Sequence, residues 1–210
     1  MTFKPGNPNV ALFGNDGGVY YAGSLSTATS SSGITSRNNG FNVTQFYSIG
    51  VGPTSIGTGD YFTGGAQDNG SQYFAGVSSS VNGSSEVQDG DGAFCMFDQG
   101  RDNYYITNYV YNQDINYRSI GGTVRSISGT AESSLSNGAF ICPMALDSNK
   151  DILFSDYTIP GSGTTATVYG IRRYTNLKSG TVGRATISNA LITNSPTALT
   201  VSKYNTVTTT

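Results

Sequence analysis

Histidine and tryptophan are absent from this 210-residue chain, which has only two cysteines and 11% charged residues. Without histidine, Ser–His–Asp and Cys–His catalysis are excluded, and the imidazole ligands of most zinc sites are missing. Lysine and arginine together number 11 and form no basic patch, so we expect no binding to nucleic acid. No apolar run approaches the roughly 20 residues of a membrane helix, so we expect no membrane span.

Glycine, serine, threonine and asparagine dominate instead, accompanied by 14 tyrosines and 10 phenylalanines. This mixture suits short strands joined by tight turns, because glycine and asparagine tolerate positive φ and aromatic rings fill pleated surfaces. Only residues 132–135 have a mildly helical pattern. Low charge with many small hydroxyl residues is typical of secreted bacterial proteins, so we expect an extracellular or cell-surface location.

A four-residue apolar phrase recurs at 49–52, 95–98, 144–147 and 199–202. Each copy predicts a short strand that ends at a small or acidic turn residue, and the copies end 46, 49 and 55 residues apart. A period of about 40–50 residues made only of strands predicts an all-β fold. The specific prediction is a β-propeller, or a section of one, with about four four-stranded antiparallel blades.

The predicted organisation is one propeller section over 1–210: a partial blade at 1–40, blades at 41–88, 89–138 and 139–194, and the start of another at 195–210. The predicted strands are 10–13, 19–22, 34–37, 45–51, 61–66, 72–76, 93–97, 104–111, 115–119, 124–127, 141–146, 152–157, 168–174, 184–187 and 198–201. The first blade is expected to lack its first strand. Either 198–201 closes a four-bladed ring with 10–13, or the section needs the remainder of a larger chain or further copies as partners.

Several phrases occur in an order that resembles a known family: GNDGGVY at 14–20, TQFY at 44–47, GGAQDNG at 64–70 and GDGAF at 90–94. This succession resembles the large propellers of the BNR/Asp-box, sortilin-like and xyloglucanase-like superfamily. The resemblance implies a bacterial secreted or surface propeller that binds a glycan or a protein, or a glycoside hydrolase that uses two carboxylates. Residues 27–35 differ from the usual Asp-box, because they lack its acid and its aromatic residue.

The order of strands within a blade sorts the acidic residues to two ends of the sheets. The candidates for ligand binding at one end are Asp16, Asp68, Asn69, Asp89, Asp91 and Asp156. Asp98 and Asp147 close first strands and belong to the opposite end. The end with more acids is either a mouth for a cation or a polyhydroxylated ligand, or a set of Asp-Gly turns with no further role.

Asp89 and Asp91, separated by a glycine, allow three interpretations: a Ca²⁺ site of hard oxygen ligands, a structural turn, or a catalytic pair. No other cofactor is expected. Cys95 and Cys142 begin predicted first strands, either as buried thiols or as a disulfide between neighbouring strands. The tyrosines at 104, 105, 109, 111 and 117 either pack between blades or offer a stacking surface for a sugar.

Three functions therefore stay open. The first is a non-catalytic surface module that binds a glycan or a protein through the NDGG, QDNG and GDG loops. The second is a glycoside hydrolase of the xyloglucanase-like kind. The third is a structural segment of a larger surface assembly.

Overall fold

The computed structural model describes residues 1–15, 17–40, 44–78, 83–133 and 135–202. Its described residues form four antiparallel sheets of four strands each, and in every sheet the strands follow one another in chain order. Within these ranges the α-helix is limited to the five residues of α1 (Gly129–Ser133), alongside three short 3-10 turns. None of the described helices is long and apolar enough to cross a membrane. The all-β prediction is therefore confirmed, although no sheet closes on itself.

Contacts group the chain into two compact units, Met1–Thr44 and Gln45–Thr210. The first unit contains sheet 1, which consists of β1 (Thr2–Lys4), β2 (Asn7–Asn15), β3 (Gly18–Ala22) and β4 (Ile34–Ser36). Its buried apolar side chains are few among the described residues: Val10, Ala11 and Ala22.

The second unit contains the other three sheets. Sheet 2 consists of β5 (Ser48–Val51), β6 (Asp60–Gly65), β7 (Ser71–Val77) and β8 (Ser85–Gln88). Sheet 3 consists of β9 (Met96–Phe97), β10 (Tyr104–Thr107), β11 (Asn116–Ser119) and β12 (Val124–Ser126). Sheet 4 consists of β13 (Met144–Asp147), β14 (Ile152–Asp156), β15 (Ile171–Thr175) and β16 (Gly183–Ile187).

Several predicted strands are shorter in the structure, such as 93–97, which is reduced to Met96–Phe97, and β8 was not predicted. Three further corrections concern strands at 2–4, 104–111 and 198–201. Sheet 1 does not lack a strand, because Thr2–Lys4 pairs antiparallel with β2. The strand predicted at 104–111 ends at Thr107, where the Asn108 side chain begins to hold an irregular loop by donating to the carbonyls of Tyr111 and Gln113. The segment at 198–201 is not a strand, because none of the described residues pairs with it in a sheet.

Aromatic rings fill the space between sheets 2 and 3. Tyr73 of β7 stacks on Tyr105 of β10 with ring centroids 4.8 Å apart and planes 2° from parallel. Phe97 of β9 lies beside both rings, at 6.4 Å from Tyr73 and 5.3 Å from Tyr105. Offset aromatic pairs of this kind contribute about 0.5–1.5 kcal/mol beyond the apolar area that they bury.

The main hydrophobic core lies between sheets 3 and 4. The two sheets alternate side chains between their faces, and the facing residues meet in one cluster that includes Tyr104, Ile106, Ile115, Leu153 and Tyr174, each 0% exposed. Sheet 3 thus packs against sheet 2 through one face and against sheet 4 through the other.

A buried acid ties α1 to sheet 4. Glu132 forms an ion pair with Arg172 of β15, and it accepts a 3.1 Å hydrogen bond from the Tyr174 hydroxyl. Burial raises the pKa of Tyr174 well above its usual range, and the neighbouring Glu132 carboxylate raises it further. The hydroxyl therefore stays protonated and remains a donor to Glu132.

The four copies of the recurring phrase meet around one cleft of about 330 Å³. Its walls come from β5, β9 and β13 and from the segment 199–201. The Ser48 hydroxyl joins two of these elements, because it donates to the Ala93 carbonyl and accepts from the Cys95 N–H at 2.7 Å. The first strands of three successive sheets thus line the same space.

Candidate functional site: a cleft beside the QDNG and GDG loops

The QDNG turn after β6 and the GDG loop before β9 form one hydrogen-bonded unit. The Gly70 N–H donates to the Gly90 carbonyl, and the Gly92 N–H donates to the Ala66 carbonyl, each at 2.8 Å. Asp91 completes the unit, because its Oδ1 accepts the backbone N–H of Asp68 at 3.0 Å. The two motifs that carry the family resemblance are therefore neighbours in space.

The local geometry of this unit depends on its residue types. Asp68 and Gly70 both have positive φ, at 57° and 65°, and this conformation favours Gly, Asn and Asp. The Asn69 side chain donates to the Gln67 carbonyl and so closes the turn on itself. Asp68, Asn69 and Asp91 thus have structural roles in the turn, in agreement with the interpretation of these motifs as turn formers.

Asp89, the other acid of the GDG loop, lies in a cleft of about 440 Å³ between the ends of sheets 2 and 3. The residues that line this cleft are Gln88, Asp89, Gly90, Tyr109, Asp114 and Asn116. Two exposed carboxylates, a half-buried aromatic ring and two amides therefore face one space. We call this set of six residues the loop-end cleft.

Hydrogen bonds from Gln88 hold the floor of the loop-end cleft. Its Nε2 donates to the Asp114 carbonyl at 2.9 Å, which joins β8 to the loop between β10 and β11. Its Oε1 accepts from Thr107 Oγ1 at 2.6 Å and from Asn116 Nδ2 at 3.2 Å. The walls of the cleft are thus fixed across two sheets rather than within one loop.

The two carboxylates of the cleft are available for a ligand. In the part of the chain that the structure describes, neither the Asp89 nor the Asp114 carboxylate has a hydrogen-bond or ion-pair partner. Asp114 has a φ of 44°, a left-handed turn conformation that Asp tolerates. A Cβ on Gly90 would lie 2.8 Å from the Tyr109 ring, so glycine permits the loop to pack on that ring.

Asp156, predicted for the same mouth, is buried instead. Its Oδ2 accepts the Ala139 N–H at 2.9 Å, while its Oδ1 accepts both the N–H and the hydroxyl of Thr158. It is 0% exposed. Asp156 therefore holds two loops together and is not presented to a ligand. Asp16, also predicted here, lies outside the described residues.

Asp98 and Asp147 have the structural role that their position after first strands predicts. Asp98 accepts the N–H groups of Gly100 and Asp102, and Asp147 accepts those of Asn149 and Lys150. Each carboxylate thus caps its own turn, at the sheet ends remote from the QDNG turn.

The calcium interpretation of Asp89 and Asp91 stays a prediction. The two carboxylates have different surroundings, because Asp91 is bonded to the Asp68 N–H while Asp89 lines the loop-end cleft. Among the residues described, no group of three or more His, Cys, Asp or Glu is placed to hold a metal ion.

Cys95 and Cys142 are buried free thiols, and the disulfide alternative is wrong in this structure. Their sulfur atoms have different partners: Cys95 Sγ lies 3.6 Å from the Ser71 hydroxyl and Cys142 Sγ lies 3.3 Å from the Asp156 carbonyl. Burial raises the pKa of both thiols, so both stay protonated at neutral pH. They act as small core residues.

The tyrosines of the 104–117 stretch divide between core and surface. Tyr104, Tyr105 and Tyr117 are buried between sheets, as the packing interpretation predicts. Tyr109 lines the loop-end cleft, and Tyr111 meets Phe140 edge to face at 5.6 Å. Sequence reasoning missed Asp114, although its place in the turn between the second and third strands matches that of Asp68. The matching turn position of Asp68 and Asp114 is the sequence signal that could have identified Asp114.

Comparison with known proteins assigns neither a family nor a function to this chain. No protein-family model matches the chain. A search of curated proteins also finds no match. The resemblance to the BNR/Asp-box and sortilin-like propellers therefore stays a prediction.

Proposed function

We propose that this chain is a β-propeller section of a secreted or cell-surface protein and that it binds a glycan, without catalysis, in the loop-end cleft. The observation that carries the proposal is the meeting of Tyr109 with the unpaired carboxylates of Asp89 and Asp114 in one cleft. The same end of the sheets bears the QDNG and GDG loops.

The arrangement of the second unit supports a propeller. Sheets 2, 3 and 4 pack face to face in chain order, and their first strands line one cleft. A propeller requires both features, because its blades stack around an axis that the first strand of each blade faces. The short first strand in every sheet agrees with this placement.

The chemistry of the loop-end cleft suits a polyhydroxylated ligand. Ionised carboxylates only accept hydrogen bonds, so Asp89 and Asp114 would take the hydroxyl protons of a sugar. The Asn116 side chain offers its Oδ1 as an acceptor, because its N–H groups donate to Gln88 and to the Asp114 carbonyl. The Tyr109 ring offers an apolar face. The cleft volume of about 440 Å³ falls in the range of small-ligand sites.

Binding to an array of immobilised glycans tests the proposal, with hits measured again by calorimetry. Asp114→Asn preserves the turn, since Asn tolerates positive φ, but it removes an acceptor charge. We expect Asp114→Asn and Asp89→Asn each to weaken the best hit at least fivefold. Asp60→Asn, at the exposed start of β6, makes the same charge change outside the cleft and should leave binding unchanged.

Three outcomes would contradict the proposal. The first is the absence of binding to any glycan. The second is equal binding by all three variants. The third is release of reducing sugar from the best hit, because turnover would favour the glycoside hydrolase alternative.

A further inference from the structure

A second cleft lies at the sheet ends opposite the loop-end cleft. It has a volume of about 550 Å³, and the turns that follow β5, β9 and β13 line it. Each of these turns joins the first strand of a sheet to its second strand. We call this space the turn-end cleft.

Hydrogen bonds within and between the turns hold this cleft in place. Asp98 caps the turn after β9 through the Gly100 and Asp102 N–H groups. The Gln99 N–H donates to Ser148 Oγ at 2.9 Å, and the Gln99 side chain donates to the Val51 carbonyl at 2.8 Å. Gln99 thus links all three turns, so the cleft is formed before any ligand arrives.

The charge of the turn-end cleft is opposite to that of the loop-end cleft. Arg101 is its one charged lining residue, and no carboxylate lines it. Among the described residues Arg101 has neither an ion-pair nor a hydrogen-bond partner. The nearby acid Asp102 is paired with Lys178 at 2.6 Å and not with Arg101, and Lys178 also pairs with Asp151 at 2.8 Å. An unpaired guanidinium among hydroxyl and amide groups favours an oxyanion.

The turn-end cleft adjoins the space between the first strands. Gln99 and Ser148 line both spaces. Beyond them, the residues that line the second space include six with large apolar side chains: Ile49, Phe94, Met96, Met144, Leu146 and Leu199. A polar mouth that contains one cationic side chain therefore adjoins a groove of about 330 Å³ in which most of the lining residues are apolar.

We propose that the turn-end cleft and this groove bind an amphipathic carboxylate, with the carboxylate at Arg101 and the hydrocarbon part between the first strands. This site is separate from the proposed glycan site and does not depend on it. Charge complementarity at the mouth selects an anion, while the groove walls select an apolar body.

Titration of the ¹⁵N-labelled chain with octanoate, followed by NMR, tests the proposal. We expect saturable shifts in the amide signals of Gln99, Gly100, Arg101 and Ser148, and in groove residues such as Met96 and Met144. Acetate carries the same charge without the apolar body and should bind at least tenfold more weakly. Octyl glucoside carries an apolar chain without the charge and should also bind at least tenfold more weakly.

Variants separate the two halves of the site. Arg101→Gln should weaken octanoate binding at least fivefold, whereas Arg173→Gln, on the exposed side of β15, should not. Ile49 is 68% exposed, so Ile49→Ser should fold normally and should weaken octanoate without changing acetate. The proposal is overturned if octanoate and acetate bind alike, if octyl glucoside or inorganic phosphate binds as tightly as octanoate, or if Arg101→Gln matches Arg173→Gln.

Discussion

Asp91 Oδ1 accepts the backbone N–H of Asp68 at 3.0 Å, and this bond joins a turn of sheet 2 to the loop that leads into sheet 3. Two further backbone bonds between Gly70, Gly90, Gly92 and Ala66 complete the junction. Asp91, a candidate Ca²⁺ ligand from the sequence, thus accepts a hydrogen bond within the protein. Its neighbour Asp89, two residues away, is the one left for a ligand.

The first prediction concerns the close approach at Gly92. A Cβ there would overlap the Gly70 carbonyl oxygen and lie 2.8 Å from the Ala66 nitrogen, both of which are backbone atoms that cannot move aside cheaply. We expect Gly92→Ala to lower the free energy of unfolding by about 2–3 kcal/mol. Urea denaturation followed by circular dichroism measures this change.

Gly180→Ala is the matched control, because nothing lies within 4 Å of a Cβ at that position. It should change the free energy of unfolding by no more than about 0.5 kcal/mol. Equal unfolding midpoints for the two variants would show that the QDNG and GDG loops are not packed against each other.

The second prediction concerns Glu132, the buried acid of α1. Glu132→Gln leaves the Arg172 guanidinium, whose side chain is only 17% exposed, without its counter-charge. Removing one partner of a buried ion pair typically lowers the free energy of unfolding by about 3–5 kcal/mol. We expect a decrease near the lower value, because the Gln side chain can still accept the hydrogen bond from the Tyr174 hydroxyl.

The control is Glu86→Gln, which removes the same charge from the exposed strand β8. Its unfolding midpoint in urea should match that of the unaltered chain. A loss below about 1 kcal/mol for Glu132→Gln would contradict the position of α1 against sheet 4.

The third prediction is an alkaline loss of stability. Burial raises the pKa of Tyr105 to about 12, although Arg118 opposes part of this rise. In the unfolded chain a tyrosine ionises near pH 10, so above that pH the unfolded state loses its proton first. The contribution of Tyr105 is therefore fully present below about pH 10 and is lost as the pH rises through about 12.

Urea midpoints at pH 9 and pH 11.5 for the unaltered chain and for Tyr105→Phe measure this contribution. The unaltered chain should lose more stability than the variant over this interval, because phenylalanine cannot ionise. If the unaltered chain and Tyr105→Phe lost the same stability, the Tyr105 hydroxyl would be in contact with solvent and not between sheets 2 and 3.

Much of the strand pattern could be predicted from the sequence, because alternating apolar residues and Gly-, Asn- and Asp-rich turns act locally. Thr2–Lys4 was missed because three exposed residues, one of them charged, carry no such alternation. The segment 198–201 is predicted as a strand because its residues match those of the other first strands. No strand in the described part of the chain pairs with it, and strand pairing depends on tertiary contacts that the local pattern of four residues does not reveal.

The candidate site was predictable only in part. The order of strands within a sheet predicts that Asp68, Asp89 and Asp91 lie at the same end of the sheets. It does not predict the burial of Asp156, because this burial depends on Ala139 and Thr158, which come from separate loops. Asp114 enters the site through its contact with Gln88, 26 residues away, and sequence spacing gives no measure of such a contact.

The central claim is that the loop-end cleft binds a glycan, and NMR titration of the labelled chain with the best array hit tests it most directly. The account predicts saturable shifts in the amide signals of Asp89, Gly90, Tyr109, Asp114 and Asn116, with Gln99 and Arg101 at the opposite end unchanged. It also predicts that Asp114→Asn weakens these shifts at equal ligand concentration. Shifts that map to the turn-end cleft, or that Asp114→Asn leaves unaltered, would contradict the account.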